Sequence, residues 1–192
     1  MVLYLVMDAY HGDVESLLLK NLEMKNREKI IEYMASAVKY MHGEGYAHLD
    51  LKPKNILYRG SLGEGDLDIG IADFGLAKEL HGEPEAVQSM STLRGTSPYN
   101  SDPRKVYNKE FDIWSFGLIV YQILKTGAET MTATELCAAV QKRKDKPDDT
   151  ESFEDLNRGT ELDFARMFLS CTIVDKEQHR CNADEIVSVF YS

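Results

Sequence analysis

Within one short stretch, His48-Leu49-Asp50-Leu51-Lys52-Pro53-Lys54-Asn55, the sequence collects an imidazole, a carboxylate, an ammonium group and a carboxamide. A second carboxylate follows at Asp73, beside Phe74 and Gly75. A carboxylate can orient a hydroxyl and accept its proton as the oxygen becomes a nucleophile. An ammonium group two residues away can neutralise a phosphate. A carboxamide oxygen and a further carboxylate are the hard oxygen ligands that Mg²⁺ prefers. The set suits a metal-bound phosphate held next to a nucleophile, and a loop that is merely polar has no reason to combine these types at this spacing.

The stretch resembles the catalytic loop of the eukaryotic-type protein kinases, in which His-Arg-Asp-Leu-x-x-x-Asn is followed by Asp-Phe-Gly. Two other segments extend the resemblance. Gly95-Thr96-Ser97-Pro98-Tyr99 is similar to the Gly-Thr-x-x-Tyr of serine/threonine members, and Asp112-x-Trp114-Ser115-x-Gly117 matches a second signature of the family.

The resemblance implies that Asp50 orients the acceptor hydroxyl and takes its proton. It implies that Lys52 neutralises charge developing on the γ-phosphate of ATP, with Thr96 beside them, and that Asn55 and Asp73 hold Mg²⁺. His48, Phe74 and Gly75 are then structural supports, and Asp112 anchors the backbone of the catalytic loop. The backbone of Asp8 and Tyr10 is where adenine would bond, Met7 falls at the gatekeeper position, and Leu57 would lie under the adenine ring. Arg180, in Asp175-x4-Arg180, matches an arginine that usually pairs with the glutamate of an Ala-Pro-Glu motif. Here that motif is degraded to Ser101-Asp102-Pro103-Arg104, so the bridge is expected to be lost or remade with Asp102. Lys52 and Thr96 point to Ser or Thr acceptors rather than Tyr.

These residues need elements to carry them. Val2 to Met7 is a continuous apolar run of strand formers, broken by Asp8-Ala9-Tyr10-His11-Gly12-Asp13. Asp13 can cap a short helix bearing Val14, Leu17 and Leu18. A longer helix is predicted from Asn26 to His42, because Ile30, Met34, Ala37, Val38 and Met41 recur at three and four. Gly43 is its candidate left-handed cap, and Tyr33 and Tyr40 are expected to pack. Ile56 to Tyr58 and Leu67 to Ala72 read as two short strands around a turn. Gly60, Gly63 and Gly65 in that turn have the wrong order for a dinucleotide loop.

Leu76 to Arg94 lacks apolar periodicity, as a mobile activation segment would. Glu110 to Lys125 is apolar nearly all round and so predicts a helix buried on most faces, ended by Gly127. Capping-box patterns at Thr132-x-x-Glu135, Thr160-x-x-Asp163 and Asn182-x-x-Glu185 start three further helices. Residues 146–157 are polar and acidic, a surface loop.

The expected fold is mainly α within an α+β family. It is a kinase-like C-lobe helical bundle with a short β-hairpin at the catalytic loop and one residual N-lobe strand. Residues 1–12 would be the last N-lobe strand and hinge, and residues 13–192 the C-lobe. The catalytic loop spans 48–55 and the activation segment 73–104.

Composition narrows the partners. The 192 residues carry 22 basic and 32 acidic side chains, a net charge of −10, which gives no general support for a nucleic-acid or anionic-membrane surface. The basic cluster Lys142-Arg143-Lys144-Asp145-Lys146 is followed at once by Asp148, Asp149 and Glu151, as at a solvated helix end. Cys137, Cys171 and Cys181 are odd in number and far apart, which favours free thiols in a reducing compartment over disulfides or zinc. Met1 to Met7 has no basic n-region, and no run approaches the length of a membrane helix. A cytoplasmic, soluble protein is expected, acting on a protein substrate or binding partner.

The family's glycine-rich loop, its Val-Ala-Ile-Lys lysine and the glutamate that pairs with it have no counterpart before the hinge. A missing N-lobe or a regulatory chain is therefore a candidate partner, and the isolated chain is expected to aggregate or to need one. The alternative function is a catalytically inactive, kinase-like binding or scaffold protein. Leu49 stands where the family has an arginine that grips a phosphate on the activation segment, and Leu cannot do so. Glu at Ser89, Ser91 and Thr92 should therefore leave phosphate incorporation into a Ser/Thr peptide unchanged; strong activation by these substitutions would overturn the expectation.

Overall fold

A computed structural model describes residues 6–20, 22–61, 66–80, 95–100, 107–125, 135–136, 138, 180–188 and 190. In chain order the elements are β1 (Gly12–Asp13), α1 (Val14–Leu18), α2 (Met24–Gly43), β2 (Tyr46–Ala47), β3 (Ile56–Arg59), β4 (Asp68–Ile71), β5 (Lys78–Glu79), α3 (Lys109–Lys125) and α4 (Ala183–Ser188). Single 3₁₀ turns at Pro53–Asn55 and Phe74–Leu76 sit between strands.

The core forms around α3. Every residue from Phe111 to Leu124 is buried, as its all-round apolar sequence requires. Asn108 caps the start, its Oδ1 accepting from Phe111 N at 3.2 Å. Helix α2 brings Ile30, Ile31, Met34, Ala35 and Val38 into the same core. The buried Arg27 ties the start of α2 to the end of α3: Nε donates to Leu22 O at 3.0 Å and Nη1 to Leu124 O at 3.1 Å. Helix α1 adds Val14, Leu17 and Leu18, and it is capped as expected, Asp13 Oδ1 accepting from Ser16 N at 2.8 Å. Helix α4 closes the far side of α2, with Ala183 and Ile186 packing toward Ala35, Val38 and Phe116. Its capping box is reciprocal. Asn182 N donates to Glu185 Oε2 at 2.8 Å, and Glu185 N donates to Asn182 Oδ1 at 3.0 Å.

The strands form two small antiparallel sheets. One has the order β1-β3-β4, with Leu57 opposite Gly70 and Tyr58 opposite Ile69; the other pairs β2 with β5. At the hairpin turn Gly60 has φ +85, and a Cβ there would collide with the Asp66 carbonyl. Only glycine meets both conditions.

Three expectations change. Val6 and Met7 belong to no strand and are exposed, because among the described residues no strand runs alongside them to share a ladder; the sheet begins at Gly12. Gly43 is the last residue of α2 rather than a left-handed cap. Glu44 N still donates to Tyr40 O at 3.0 Å, so helical bonding runs past Gly43 and the chain reverses at Gly45, φ +85. Tyr40 does not pack: it is exposed, whereas Tyr33 lies against the core. The helix starts proposed at Thr132 and Thr160, the loop at 146–157, Gly127, Cys137, Cys171, residues 1–5 and most of the activation segment lie outside the described residues.

No helix among the described residues is long and apolar enough to cross a membrane. Ile119 is fully buried in the middle of α3. Its replacement by Ala should cost about 2–5 kcal/mol, read as a lower midpoint in urea denaturation, while Tyr40→Ala should leave the midpoint nearly unchanged.

Candidate active site

The site is built on a buried carboxylate. Asp112, on the first turn of α3, is fully buried, which no ionised side chain tolerates without several donors. Three are supplied. Oδ1 accepts from Leu49 N at 2.8 Å; Oδ2 accepts from His48 N at 2.7 Å and from His42 Nε2 at 2.9 Å. Two consecutive backbone amides can converge on one carboxylate because Leu49 is left-handed, φ +67. That conformation costs a non-glycine residue on the order of 1–2 kcal/mol. The Leu49 side chain is fully buried, in a cluster with Ala47, Tyr107 and Phe111. The position that carries arginine in the family is here part of the core.

Beyond Leu49 the loop turns Asp50 outward, its side chain one-tenth exposed. Lys52 Nζ donates to Asp50 Oδ2 at 2.8 Å and to Thr96 Oγ1 at 2.8 Å, and Thr96 Oγ1 donates to Asp50 Oδ1 at 2.8 Å. Three residues that the sequence singled out thus close one hydrogen-bonded triangle, 46 positions apart at its widest. Gly95 makes this approach possible. It has φ +80, and a Cβ would stand 2.8 Å from Leu49 O and 3.5 Å from Asp50 Oδ1. Asn55, almost fully buried, donates from Nδ2 to Asp50 O at 3.0 Å and accepts from Ala72 N on its backbone carbonyl at 2.9 Å.

His48 is fixed from two sides. Its Nε2 donates to Ala72 O at 3.0 Å and its Nδ1 accepts from Asp50 N at 3.2 Å, so the neutral ring carries its proton on Nε2. Its ring also meets Phe74 edge to face, 5.1 Å between centroids. Asp73 is left-handed, φ +64, and exposed, and Gly75 follows it in the 3₁₀ turn. Among the described residues no group of three His, Cys, Asp or Glu side chains could hold a metal alone. Asn55 and Asp73 carry the type of ligand that a magnesium ion would take. Both offer oxygen, and the Asn55 Nδ2 is committed to Asp50 O, which turns its carbonyl oxygen the other way.

Of the residues expected around adenine, Leu57 lies on the sheet, and Asp8 and Tyr10, outside any strand, meet Arg59 and Gly70 of it. Leu57 is half-buried in the middle of β3. Asp8 Oδ2 lies 3.3 Å from Arg59 Nη1, and Arg59 Nε donates to Asp68 Oδ2 at 2.7 Å; that hydrogen bond raises the guanidinium pKa further. The Tyr10 ring sits under the Arg59 guanidinium, 5.5 Å away, and its hydroxyl end rests where Gly70 lacks a Cβ. Gly70 is the cross-strand partner of Leu57, so Tyr10 covers the face on which Leu57 lies by its side chain, not only by its backbone.

Arg180 is buried against Trp114, 5.2 Å from the ring centroid, and donates from Nη1 to Glu110 O at 2.7 Å. Asp102 and its neighbours lie outside the described residues. Tyr99 donates its hydroxyl to Gln122 Oε1 at 2.7 Å and accepts from Ser115 Oγ on its carbonyl at 3.0 Å; burial raises its pKa. These bonds fasten the Thr96 segment to α3.

His42 escaped the sequence. A histidine in the last turn of a helix reads as a complement to the helix dipole, and nothing in the pattern links it to a residue 70 positions away.

A family model described as protein kinase domain matches residues 1–192. The chain is 34% identical over 144 residues to serine/threonine-protein kinase 33 of Bos taurus, covering 69% of this chain and 29% of that protein. It is 31% identical over 191 residues to a probable myosin light chain kinase of Dictyostelium discoideum, covering 96% and 46%. With calcium/calmodulin-dependent protein kinase type 1 of Macrobrachium nipponense it shares 39% over 103 residues, covering 52% and 28%. The chain spans less than half the length of each of these relatives.

Gly95→Ala tests the geometry directly. It should cost about 1–3 kcal/mol in denaturant unfolding, from the strained φ and the crowding against Leu49 O, and should shift the Thr96 resonances.

Proposed function

The chain belongs to the protein kinase family, and on that premise we propose that it serves transfer of the γ-phosphoryl group of Mg²⁺-ATP to Ser or Thr hydroxyls of a protein. The observation that carries this proposal is the Asp50–Lys52–Thr96 triangle, with all three contacts at 2.8 Å. Phosphoryl transfer asks a protein mainly for positioning and charge neutralisation. Asp50 is held by donors on both oxygens, so its lone pairs are aimed before an acceptor arrives. An incoming hydroxyl takes over one of these interactions and passes its proton to the carboxylate. Lys52, already at the carboxylate, can swing its ammonium group to the transferring phosphate. Asn55 and Asp73 would hold the metal, which supplies charge neutralisation to the phosphates when bound. Leu57, Tyr10 and the backbone at Asp8 would form the floor and edge of the adenine site.

Within this proposal residues 1–12 lead in from the smaller lobe through the hinge, with Val6 and Met7 outside any strand, and 13–192 form the larger lobe. The glycine-rich loop and the Lys–Glu pair would come from outside these 192 residues, in the same polypeptide or a partner. The second reading is a kinase-like binding protein that engages partners without phosphotransfer.

Nucleotide binding separates the two. Millimolar Mg²⁺-ATP should raise the melting temperature of the full chain. The rise should vanish in Asp73→Asn and persist in Asp50→Asn. Phosphate transfer to a Ser/Thr peptide should fall roughly 10²–10³-fold in Asp50→Asn. No thermal shift at millimolar nucleotide would leave the binding protein.

A further inference from the structure

We infer that the side chain of Tyr10, seated in the notch left by Gly70, is a positioning residue for the nucleotide base; for the base this rests on the kinase reading above. From Val6 to His11 every residue except Tyr10 is exposed. The ion pair of Asp8 with Arg59, at 3.3 Å between two solvent-facing side chains, adds little. His11 N donates to Tyr58 O at 2.9 Å, and β1 beyond it is only two residues long. The ring of Tyr10 is therefore the contact that can hold residues 8–11 against the β3–β4 hairpin.

The hairpin is shaped to receive it. Leu57 and Arg59, two apart on β3, lie opposite Gly70 and Asp68 of β4, so all four share one face. On that face the Arg59 guanidinium covers the Tyr10 ring at 5.5 Å, and Asp68 fixes Arg59 from the other side at 2.7 Å. The remaining space is the missing side chain of Gly70. A Cβ there would stand 2.8 Å from Tyr10 Cζ and 3.1 Å from Cε1, and its three nearest neighbours all belong to Tyr10. Gly70 is not left-handed, unlike Gly45, Gly60 and Gly95, so its backbone has no need of glycine. Its need is the ring. Held by Arg59 on one side and the notch on another, the ring fixes the Tyr10 backbone, the expected partner of adenine, in the row of Leu57.

Four forms of the full chain test this beside the parent: Gly70→Ala, Tyr10→Ala, Tyr10→Phe and the double variant Gly70→Ala/Tyr10→Ala. The added methyl meets only the far end of a flexible side chain, so Gly70→Ala expels the ring while the hairpin keeps its backbone. The first readout is hydrogen exchange at the His11 amide, compared with Ala72, whose amide donates to Asn55 O elsewhere on the hairpin. Gly70→Ala and Tyr10→Ala should each speed His11 exchange roughly tenfold relative to Ala72. Tyr10→Phe, which keeps the ring, should restore the parent rate. With the ring already gone, the methyl has nothing to displace, so the double variant should match Tyr10→Ala.

The second readout is the affinity for adenosine and for Mg²⁺-ATP, measured by calorimetry. Both should weaken about tenfold, by the same factor, in Gly70→Ala and in Tyr10→Ala, because the change lies at the base and not at the phosphates. Additive effects in the double variant, or unchanged His11 exchange in both single ones, overturn the inference. So does full-strength adenosine binding in both single variants. A parent chain that binds neither adenosine nor Mg²⁺-ATP overturns the kinase reading, and the role of Tyr10 at the base falls with it.

Discussion

The arrangement depends on a carboxylate that cannot be solvated. Asp112 is closed off from water, and ionised it needs every donor the fold can bring to it. Those donors are two consecutive amides and one imidazole, from two different parts of the chain. The need for them sets the backbone of the catalytic loop. Leu49 adopts a conformation that its Cβ resists, and the cost is offset by two charge-assisted hydrogen bonds and by burial of the leucine side chain. A left-handed Leu49 in turn points Asp50 away from the core and toward Lys52 and Thr96. The Asp50–Lys52–Thr96 triangle therefore inherits its geometry from a group that never meets solvent.

Much of this was legible in the sequence because the informative residues are rare types at fixed offsets. Asp50, Lys52 and Asn55 lie within one loop, and Thr96 and Asp112 each sit in a motif of their own. The burial of α3 was equally legible, since an aspartate inside an otherwise apolar helix must have a reason. Asp13 as a cap and the Asn182/Glu185 capping box were readable for the same cause: each needs only three or four consecutive residues.

What could not be read depends on partners distant in sequence. His42 looks like an ordinary helix-end histidine until Asp112 is placed beside it. Tyr40 shares the helical spacing of its neighbours but falls on the outer face. Val6 and Met7 have strand composition, yet composition cannot create a neighbouring strand to pair with. The end of α2 was misplaced because glycine marks a reversal only loosely; bonding ran through Gly43 and the left-handed step fell to Gly45. Tyr10 was assigned to its backbone, and only the register of Leu57 with Gly70 reveals that its ring shares the same face.

The span of the Asp112 hydrogen bonds also governs when the loop can take shape. Leu49 lies 63 residues before the carboxylate that holds it left-handed, and His48 lies 64 before. Closing so long a segment costs chain entropy before any contact returns it. On a ribosome, residues 48–55 emerge well before Asp112 exists to order them, and until then Leu49 has no incentive to leave the ordinary backbone basins. The shape of residues 48–55 thus waits on α3, and a nascent chain lacking that helix carries the motif in sequence without the hydrogen bonds that hold its shape.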